Sequence, residues 1–205
     1  MITLNAIWES STGLLKRFDL MPTPDIAWKK HVEETGELIE ALYILNLKDH
    51  RSHFQFRKDV AMEACDCLVT LLNALYAVGF TFEQLGVRKH QIHNFWVVAD
   101  ATYMEMRPAV FELLSSDAAF HKHFIEIQCL TGDEGLDARF DLGKQLLIAV
   151  RALINLVKQG GISLDEFEGA IESVMFKNGK KTRETHIVID GFIKKIQPAT
   201  LIEEN

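Results

Sequence analysis

Helical periodicity runs through almost the whole chain and limits the folds open to it. Apolar residues recur every three or four positions, and each of the four prolines among 205 residues stands near an apparent break between helical segments. Alternation typical of a strand occurs once, in THIVIDGFI (185–193). We therefore predict that 1–205 forms a single all-α domain, with a four-helix-bundle core and extra flanking helices.

Capping residues and glycines place the helices along the sequence. The pattern predicts helices over about 3–18, 25–47, 57–78 and 139–159, further helix over 81–106, and a shorter helix from Ser163. Asp25 is the predicted N-cap of the second helix, and Gly79 and Gly161 are predicted C-terminal residues. A polar connection over 48–56 and a loop over 130–140 are expected between helices.

Two segments of the chain resemble each other at a constant spacing. LVTLLNALYAVGFTFEQL (68–85) aligns with VRALINLVKQGGISLDEF (150–167), so that Gly79 matches Gly161, 82 residues further on. Two interpretations stay open: an internal duplication of a helical hairpin, or chance similarity between two amphipathic helices. A duplication would build the bundle from two hairpins, one in the first half (1–100) and one in the second (101–205).

Charge and cysteine usage limit the partners and the compartment. The net charge of −7 argues against a nucleic-acid-binding face, although an acidic chain can bind a phosphorylated ligand through an intervening cation. Cys65, Cys67 and Cys129 lack zinc-like spacing and are interpreted as reduced thiols. Because neither a signal peptide nor an apolar run of about eighteen residues is visible, we expect a cytoplasmic protein without a membrane partner.

Glutamates crowd one side of the second predicted helix. HVEETGELIEALYILNL (31–47) carries Glu33, Glu34, Glu37 and Glu40 ahead of an almost wholly apolar stretch. Glu34 and Glu37 are three apart and are surface neighbours, so their charges repel unless a cation lies between them. Two interpretations are a solvated face and a metal site that a second helix completes.

The next predicted helix supplies matching carboxylates. KDVAMEACDCLVTLLNALYAV (58–78) is apolar on most of its circumference, yet Glu63, Asp66, Thr70 and Asn73 form one polar stripe along it. No lysine or arginine is spaced along this helix to pair with the acids, and buried carboxylates are costly without a partner. If the two helices pack antiparallel, four oxygen-donor side chains converge, a set that suits Mg²⁺ or Mn²⁺. A di-iron bundle is the structural rival, but it uses Glu-x-x-His pairs and neither pair here ends in histidine.

The spacing also resembles a known signature. EETGEL (33–38) followed by EACD (63–66) is similar to the EExxEL…ExxD pattern of the all-α nucleoside triphosphate pyrophosphohydrolases, the superfamily of MazG-like proteins and dimeric dUTPases. The resemblance covers residues 25 to about 80. It implies hydrolysis of (deoxy)nucleoside triphosphates to the monophosphate and pyrophosphate, as an enzyme of nucleotide-pool housekeeping, with Mg²⁺ as cofactor and Mn²⁺ as a possible substitute.

The resemblance also implies roles for particular residues. Glu34, Glu37, Glu63 and Asp66 would hold the metal, with Glu34 and Glu63 catalytic and Glu34 taking the proton of the attacking water. The segment FKNGKKTRETHIVIDGFIKK (176–195) is similar in character to a nucleotide-contacting segment of that superfamily. The substrate-binding residues expected on this basis are Lys177, Asn178, Lys181, Arg183 and Asp190. Asn73 is a further candidate, and two interpretations of it stay open: a residue that faces the base pocket, or a buried structural asparagine.

The second half departs from the signature. At the offset of 82, Gln145 stands for Glu63 and Ile148 for Asp66, and no E-x-x-E pair precedes them. The chain is therefore expected to carry one working site beside a degenerate copy, an arrangement closer to the dimeric dUTPases than to short MazG-like proteins. The resemblance implies a homodimer. The alternative function is a non-catalytic scaffold or sensor that binds metal and nucleotide.

Overall fold

Seven helices and one short hairpin make up the described part of the chain, in a computed structural model that describes residues 2–47, 54–81, 90–98 and 106–196. The helices are α1 (Leu4–Arg17), α2 (Pro24–Leu47), α3 (Phe54–Ala77), α4 (Ile92–Val98), α5 (Met106–Cys129), α6 (Gly132–Gln159) and α7 (Leu164–Lys180). The strands are β1 (His186–Ile189) and β2 (Phe192–Lys195). The predicted all-α class is confirmed.

The most extensive contacts lie within two helical hairpins. α2 packs along α3, and α5 packs along α6, while α3 and α6 contact each other between the hairpins. α1 and α7 both pack against α3, and α4 packs against α6. Because α3 has neighbours on several sides, most of its surface is buried, which explains the apolar composition of this helix.

The predicted strand segment forms an antiparallel hairpin. Ile189 pairs with Phe192 across a two-residue turn, Asp190-Gly191. Both turn residues have positive φ, 53° at Asp190 and 80° at Gly191, as in the Asp-Gly turns that suit the twist of a hairpin. A Cβ atom at Gly191 would lie 3.3 Å from the Ile26 side chain, so this turn packs closely against the start of α2.

Several predicted helix boundaries were wrong. Thr23 rather than Asp25 precedes α2: its Oγ1 accepts the Ile26 N–H at 3.4 Å, and Pro24 takes the first helical position. The loop predicted over 130–140 is confined to residues 130–131, since α6 begins at Gly132, whose φ of 64° allows the sharp turn. The basic residues from Lys177 onward, which we expected to form a tail after the helix that begins near Ser163, start inside α7, since α7 continues to Lys180.

Part of the predicted organisation lies outside the described residues. That part comprises most of the connection over 48–56 and most of the helix predicted over 81–106, of which α4 is the described portion. α3 is long and apolar enough to cross a membrane by length and composition, but 67% of its most apolar window is buried within the fold, as in a core helix.

Candidate metal centre and adjoining cavity

The acidic pairs meet because α2 and α3 pack antiparallel. His31 Nδ1 lies 3.3 Å from Thr70 Oγ1. Thr35 Oγ1, one turn further along α2, lies 3.4 Å from the sulfur of Cys67, one turn back along α3. Contacts that advance along one helix while they retreat along the other define an antiparallel pair. The next turns then bring the carboxylates together.

Three carboxylates form a cluster, which we call the acidic cluster. One ligand oxygen from each of Glu34, Glu37 and Glu63 lies within 4.8 Å of the other two. Glu34 is buried, with 7% of its surface exposed, while Glu63 is half-buried and Glu37 exposed. Asp66 follows Glu63 by one turn of α3 and is half-buried. The cluster thus lies at the boundary between the core and solvent.

Burial and mutual repulsion raise the pKa values of three of these carboxyl groups. Burial is the largest cause of the raised pKa values of Glu34, Glu63 and Asp66. The charge of Asp66 raises the pKa of the other two further. Lys30 opposes the rise at Glu34, and Lys177 opposes it at Asp66. Ionisation of these carboxyl groups is therefore unfavourable in the fold, and a bound cation would stabilise their charged form.

Lys30 is the nearest cation to the acidic cluster in the described residues. Its Nζ lies 2.6 Å from an oxygen of Glu34 and 3.0 Å from an oxygen of Glu33. Burial lowers the pKa of Lys30, but the hydrogen bonds to Glu34 and then Glu33 outweigh burial and raise it. Lys30 was not predicted as a partner of the acids, although its i, i+4 spacing from Glu34 on α2 is a signal for the pair.

A cavity of 320 Å³, which we call the cationic cavity, opens beside Asp66. Lysines from two parts of the chain line it: Lys30 of α2, and Lys177 and Lys181 at the end of α7. Burial lowers the pKa of Lys181, with a smaller contribution from Lys177, while Asp66 acts in the opposite direction. Asn178 also lines the cavity. A cavity of this volume is in the range of small-molecule sites.

A smaller cavity of 110 Å³ adjoins the first and shares Lys30, Thr70 and Asn73 with it. Its remaining walls are mainly apolar, and include Leu15, Leu20, Pro22, Ile26, Phe192 and Ile193. The Oδ1 atom of Asn73 is buried without a hydrogen-bond partner among the described residues. Because buried acceptors are nearly always paired, this atom suits a ligand that donates a hydrogen bond.

Two predicted substrate-binding residues lie elsewhere. The Arg183 guanidinium pairs with the Asp19 carboxylate, and its Nε donates to the carbonyl of Arg17 at 2.8 Å. Asp190 forms the turn of the hairpin. Neither residue lines the two cavities. Arg183 thus holds the start of this segment against the end of α1, while the turn packs against the start of α2.

The other predicted residues are brought together. Asp66 and Asn73 lie beyond the acidic cluster along α3 and line the cationic cavity. Lys177, Asn178 and Lys181 line the same cavity from the end of α7. Glu33 and Glu40 lie outside the acidic cluster and are exposed, as expected for a solvated face. The walls supplied by α1 and β2 were missed, since their apolar residues carry no signal in the sequence that separates a cavity wall from ordinary core.

A buried polar group lies behind the acidic cluster and joins the two hairpins. His31 is 1% exposed, and its Nε2 lies 3.4 Å from the carboxylate of Asp117 on α5. The same carboxylate accepts from Thr35 Oγ1 at 3.4 Å. Burial alone lowers the pKa of His31, but Cys67 and Asp117 together raise it to about 10. We attribute the raised pKa of His31 to the Asp117 carboxyl group rather than to the Cys67 thiol, because carboxyl groups ordinarily ionise at far lower pH than thiols.

The donors of the acidic cluster fit a hard divalent cation. All of them are carboxylate oxygens, which Mg²⁺ and Mn²⁺ prefer, and neither histidine nor cysteine contributes. The exposed side of the cluster leaves room for water or phosphate ligands, which Mg²⁺ usually retains.

A comparison of the chain with protein-family models, curated proteins and solved structures finds no match in any of the three.

Proposed function

We propose that the protein is a Mg²⁺-dependent nucleoside triphosphate pyrophosphohydrolase that releases a nucleoside monophosphate and pyrophosphate. One observation supports this proposal above the others. The acidic cluster, which suits divalent cations, lies beside a cavity whose lysines suit phosphate oxygens, and an apolar cavity with an unpaired amide adjoins it. A metal–nucleotide complex is a ligand that needs all three.

The charges of the site match those of a metal-bound triphosphate. Carboxylates alone repel phosphates, so Glu34, Glu37, Glu63 and Asp66 serve such a ligand only through an intervening cation. When bound, Mg²⁺ offsets phosphate charge and lowers the pKa of a coordinated water. Lys177 and Lys181 of the cationic cavity pair with phosphate oxygens that the metal leaves uncovered.

The protein's own groups complete the chemistry. In the proposed reaction, water attacks the α-phosphorus, the bond between that phosphorus and the bridging oxygen breaks, and pyrophosphate leaves. Glu34 takes the proton of the water. Its raised pKa, caused mainly by burial, makes it a stronger base than a solvated carboxylate. Lys30, which holds Glu34 at 2.6 Å, fixes the orientation of this base.

The nucleoside end of the substrate is assigned to the smaller cavity. Its apolar walls exclude water from a base, and the Asn73 amide offers a hydrogen-bond acceptor there.

We also propose that the protein is a cytoplasmic homodimer. We further propose that the second hairpin arose as a duplicate of the first and lost its carboxylates.

Pyrophosphate release from a nucleotide panel tests the proposal. Canonical and modified triphosphates are incubated with Mg²⁺, with Mn²⁺ or with EDTA. We expect release that requires the metal and that falls at least about 100-fold in the Glu63→Gln variant. Glu40→Gln is the matched control, because Glu40 lies on α2 near the cluster but is exposed and outside it.

Two other outcomes contradict catalysis. Tight binding of metal–nucleotide without pyrophosphate release by any member of the panel would favour the sensor. Bound iron with a visible absorption band would favour a redox bundle. Release that is equal in the Glu63→Gln and Glu40→Gln variants would place any catalysis outside the acidic cluster.

A further inference from the structure

A third cavity, of 470 Å³, lies between α4 and α6 and takes no part in the proposed reaction. We call it the second-hairpin cavity. Residues of α4 and the position just before it line one side, and residues of α6 line the other. The lining residues used below are His90, Asn94, Phe95, Leu147, Ile148 and Arg151.

This cavity corresponds by position to the cationic cavity of the first hairpin. Ile148 stands 82 residues after Asp66, and Arg151 stands 82 residues after Val69. Phe95 stands 82 residues before Lys177. In each of these three pairs, one residue lines the cationic cavity and the other lines the second-hairpin cavity. The two linings therefore coincide at three positions.

A backbone contact supports the same correspondence. Lys158 Nζ donates to the carbonyl of Trp96 at 3.1 Å. Asn178, 82 residues after Trp96, accepts from Arg17 Nη1 at 2.9 Å through its own carbonyl. A cationic side chain therefore binds a carbonyl of the helix that lines each cavity. That helix is α4 at the second-hairpin cavity and α7 at the cationic cavity.

The chemistry of the second-hairpin cavity is the reverse of the first. Among the described residues its lining contains no carboxylate, the donor that a divalent cation prefers. It carries instead the guanidinium of Arg151, which is exposed and has no ion-pair or hydrogen-bond partner in the described part of the chain. An unpaired guanidinium at the edge of a cavity suits an anionic group with two oxygens.

Aromatic and apolar side chains cover the rest of the lining. The rings of His90 and Phe95 lie 5.5 Å apart, and Leu147 and Ile148 form the α6 side. Burial lowers the pKa of His90, so its ring is neutral near pH 7. Neutral aromatic faces beside aliphatic side chains suit a flat ring.

We propose that the second-hairpin cavity binds, without a metal ion, an organic anion that carries a flat ring. Arg151 pairs with the anionic group, Phe95 and Ile148 contact the ring, and Asn94 offers hydrogen bonds at the rim. Nucleoside monophosphates belong to this chemical class. The inference goes beyond the proposed function, because it requires neither the acidic cluster nor turnover.

Titration in EDTA tests the inference. Adenosine and uridine monophosphates are titrated into the full-length protein by calorimetry, together with the free nucleosides and with inorganic phosphate. We expect saturable binding of a monophosphate, weaker binding of its nucleoside, and no binding of phosphate at the same concentrations. Arg151→Met, which keeps a long side chain but removes the charge, is expected to weaken binding at least about tenfold. Phe95→Leu is expected to weaken it as well.

A matched variant separates the two cavities. Lys181→Met removes a cation from the cationic cavity and is expected to leave binding in EDTA unchanged. Loss of binding in Lys181→Met with retention in Arg151→Met would overturn the inference, as would equal binding of inorganic phosphate. Absence of saturable binding at millimolar monophosphate would also overturn it. Circular dichroism establishes that each variant is folded.

The outcomes are independent of those for the proposed function. Arg151→Met is expected to keep pyrophosphate release, and Glu63→Gln is expected to keep monophosphate binding in EDTA. Failure of the enzyme proposal would remove pyrophosphate release from the wild type and leave the effect of Arg151→Met on binding in place.

Discussion

The two helical hairpins share a pattern of burial and differ in what they bury. α2 and α5 each have 24 residues, and their ends are displaced by 82 positions. Every buried position of α2 over residues 24–45, where burial is described, is matched at that offset by a buried position of α5. The α2 positions are Ala27, His31, Glu34, Thr35, Leu38, Leu42 and Leu45, and the α5 positions are Ala109, Leu113, Ser116, Asp117, Phe120, Phe124 and Ile127.

The ends of α3 and α6 agree in the same way. Gly79 and Gly161 both have positive φ, 69° and 82°, and follow the last helical residue by two. Each N–H donates at 3.0 Å to the carbonyl three residues back, that of Tyr76 or Lys158. The glycines are needed because L side chains rarely adopt this conformation.

The carboxylates of the acidic cluster are missing from the second hairpin. Glu34 is matched by Ser116 and Glu37 by Ala119, while Gln145 and Ile148 stand for the acids of α3. α5 has the same burial pattern as α2 without these carboxylates. The fold therefore does not require them, and their presence in the first hairpin calls for a functional explanation.

Thr35 and Asp117 break the equivalence at the contact between the hairpins. These two residues are matched positions, and they contact each other at 3.4 Å. The carboxylate of Asp117 in the second hairpin faces His31 in the first hairpin. Thr35 has no such partner at the matched position, since the residue that matches His31 is the apolar Leu113. A buried ion pair between His31 and Asp117 thus crosses the contact between two hairpins with similar helices.

The largest expected effect comes from removing this ion pair from one side. Asp117→Ala leaves His31 buried without an anion, so we expect the free energy of unfolding to fall by about 3–5 kcal/mol. Thr35→Val at the matched position removes only long hydrogen bonds and is expected to cost about 1 kcal/mol. Urea unfolding below pH 6.5 measures both. A smaller loss for Asp117→Ala than for Thr35→Val would show that the pair contributes little.

The pH dependence of stability sharpens the same contrast. The pKa of His31 is raised from 6.5 to about 10 in the folded protein, through Cys67 and Asp117 and against the effect of burial. The His31–Asp117 pair contributes fully to the free energy of unfolding below pH 6.5. This contribution is lost as the pH rises toward about 10, because folded His31 then loses a proton that the unfolded state has already lost. We expect the stability advantage of the wild type over Asp117→Asn to shrink across this window. An advantage that stays constant or grows would mean that His31 is neutral in the fold.

Much of this comparison could be predicted from the sequence. The helical period and the glycines predicted the all-α class and the end of α3, and the spacing of Glu34, Glu37, Glu63 and Asp66 predicted their proximity. These features are local: a helix fixes which residues share a face, and an antiparallel hairpin fixes which faces meet.

The remainder depended on contacts distant in sequence. The pairing of His31 with Asp117 joins residues on different hairpins, and no period along one helix indicates it. Arg183 was assigned to the site by its basic neighbourhood, but Asp19, far away in the sequence, holds it against α1. The start of α6 was missed because several small and acidic residues in 130–140 are also typical of loops.

The smallest expected effect concerns the acidic cluster without metal. Burial first, and then Asp66, Glu37 and Glu34, raise the pKa of Glu63 in the fold. A carboxylate with a raised pKa destabilises the folded state once it ionises, so the penalty is absent at low pH and present at neutral pH. Glu63→Gln keeps the shape and removes the charge, and we expect its Tm in EDTA to rise by about 1–3 °C.

The second hairpin supplies the matched change for this last prediction. Gln145→Glu places a carboxylate at the equivalent position, where Ser116, Ala119 and Ile148 carry no charge, and we expect a smaller change in Tm. Added Mg²⁺ is expected to reverse the order in the first hairpin, raising the Tm of the wild type more than that of Glu63→Gln because binding to the folded state stabilises it. If Glu63→Gln lowers the Tm in EDTA, the carboxylate contributes to the fold itself. A functional explanation of these acids at a cost in stability would then be wrong.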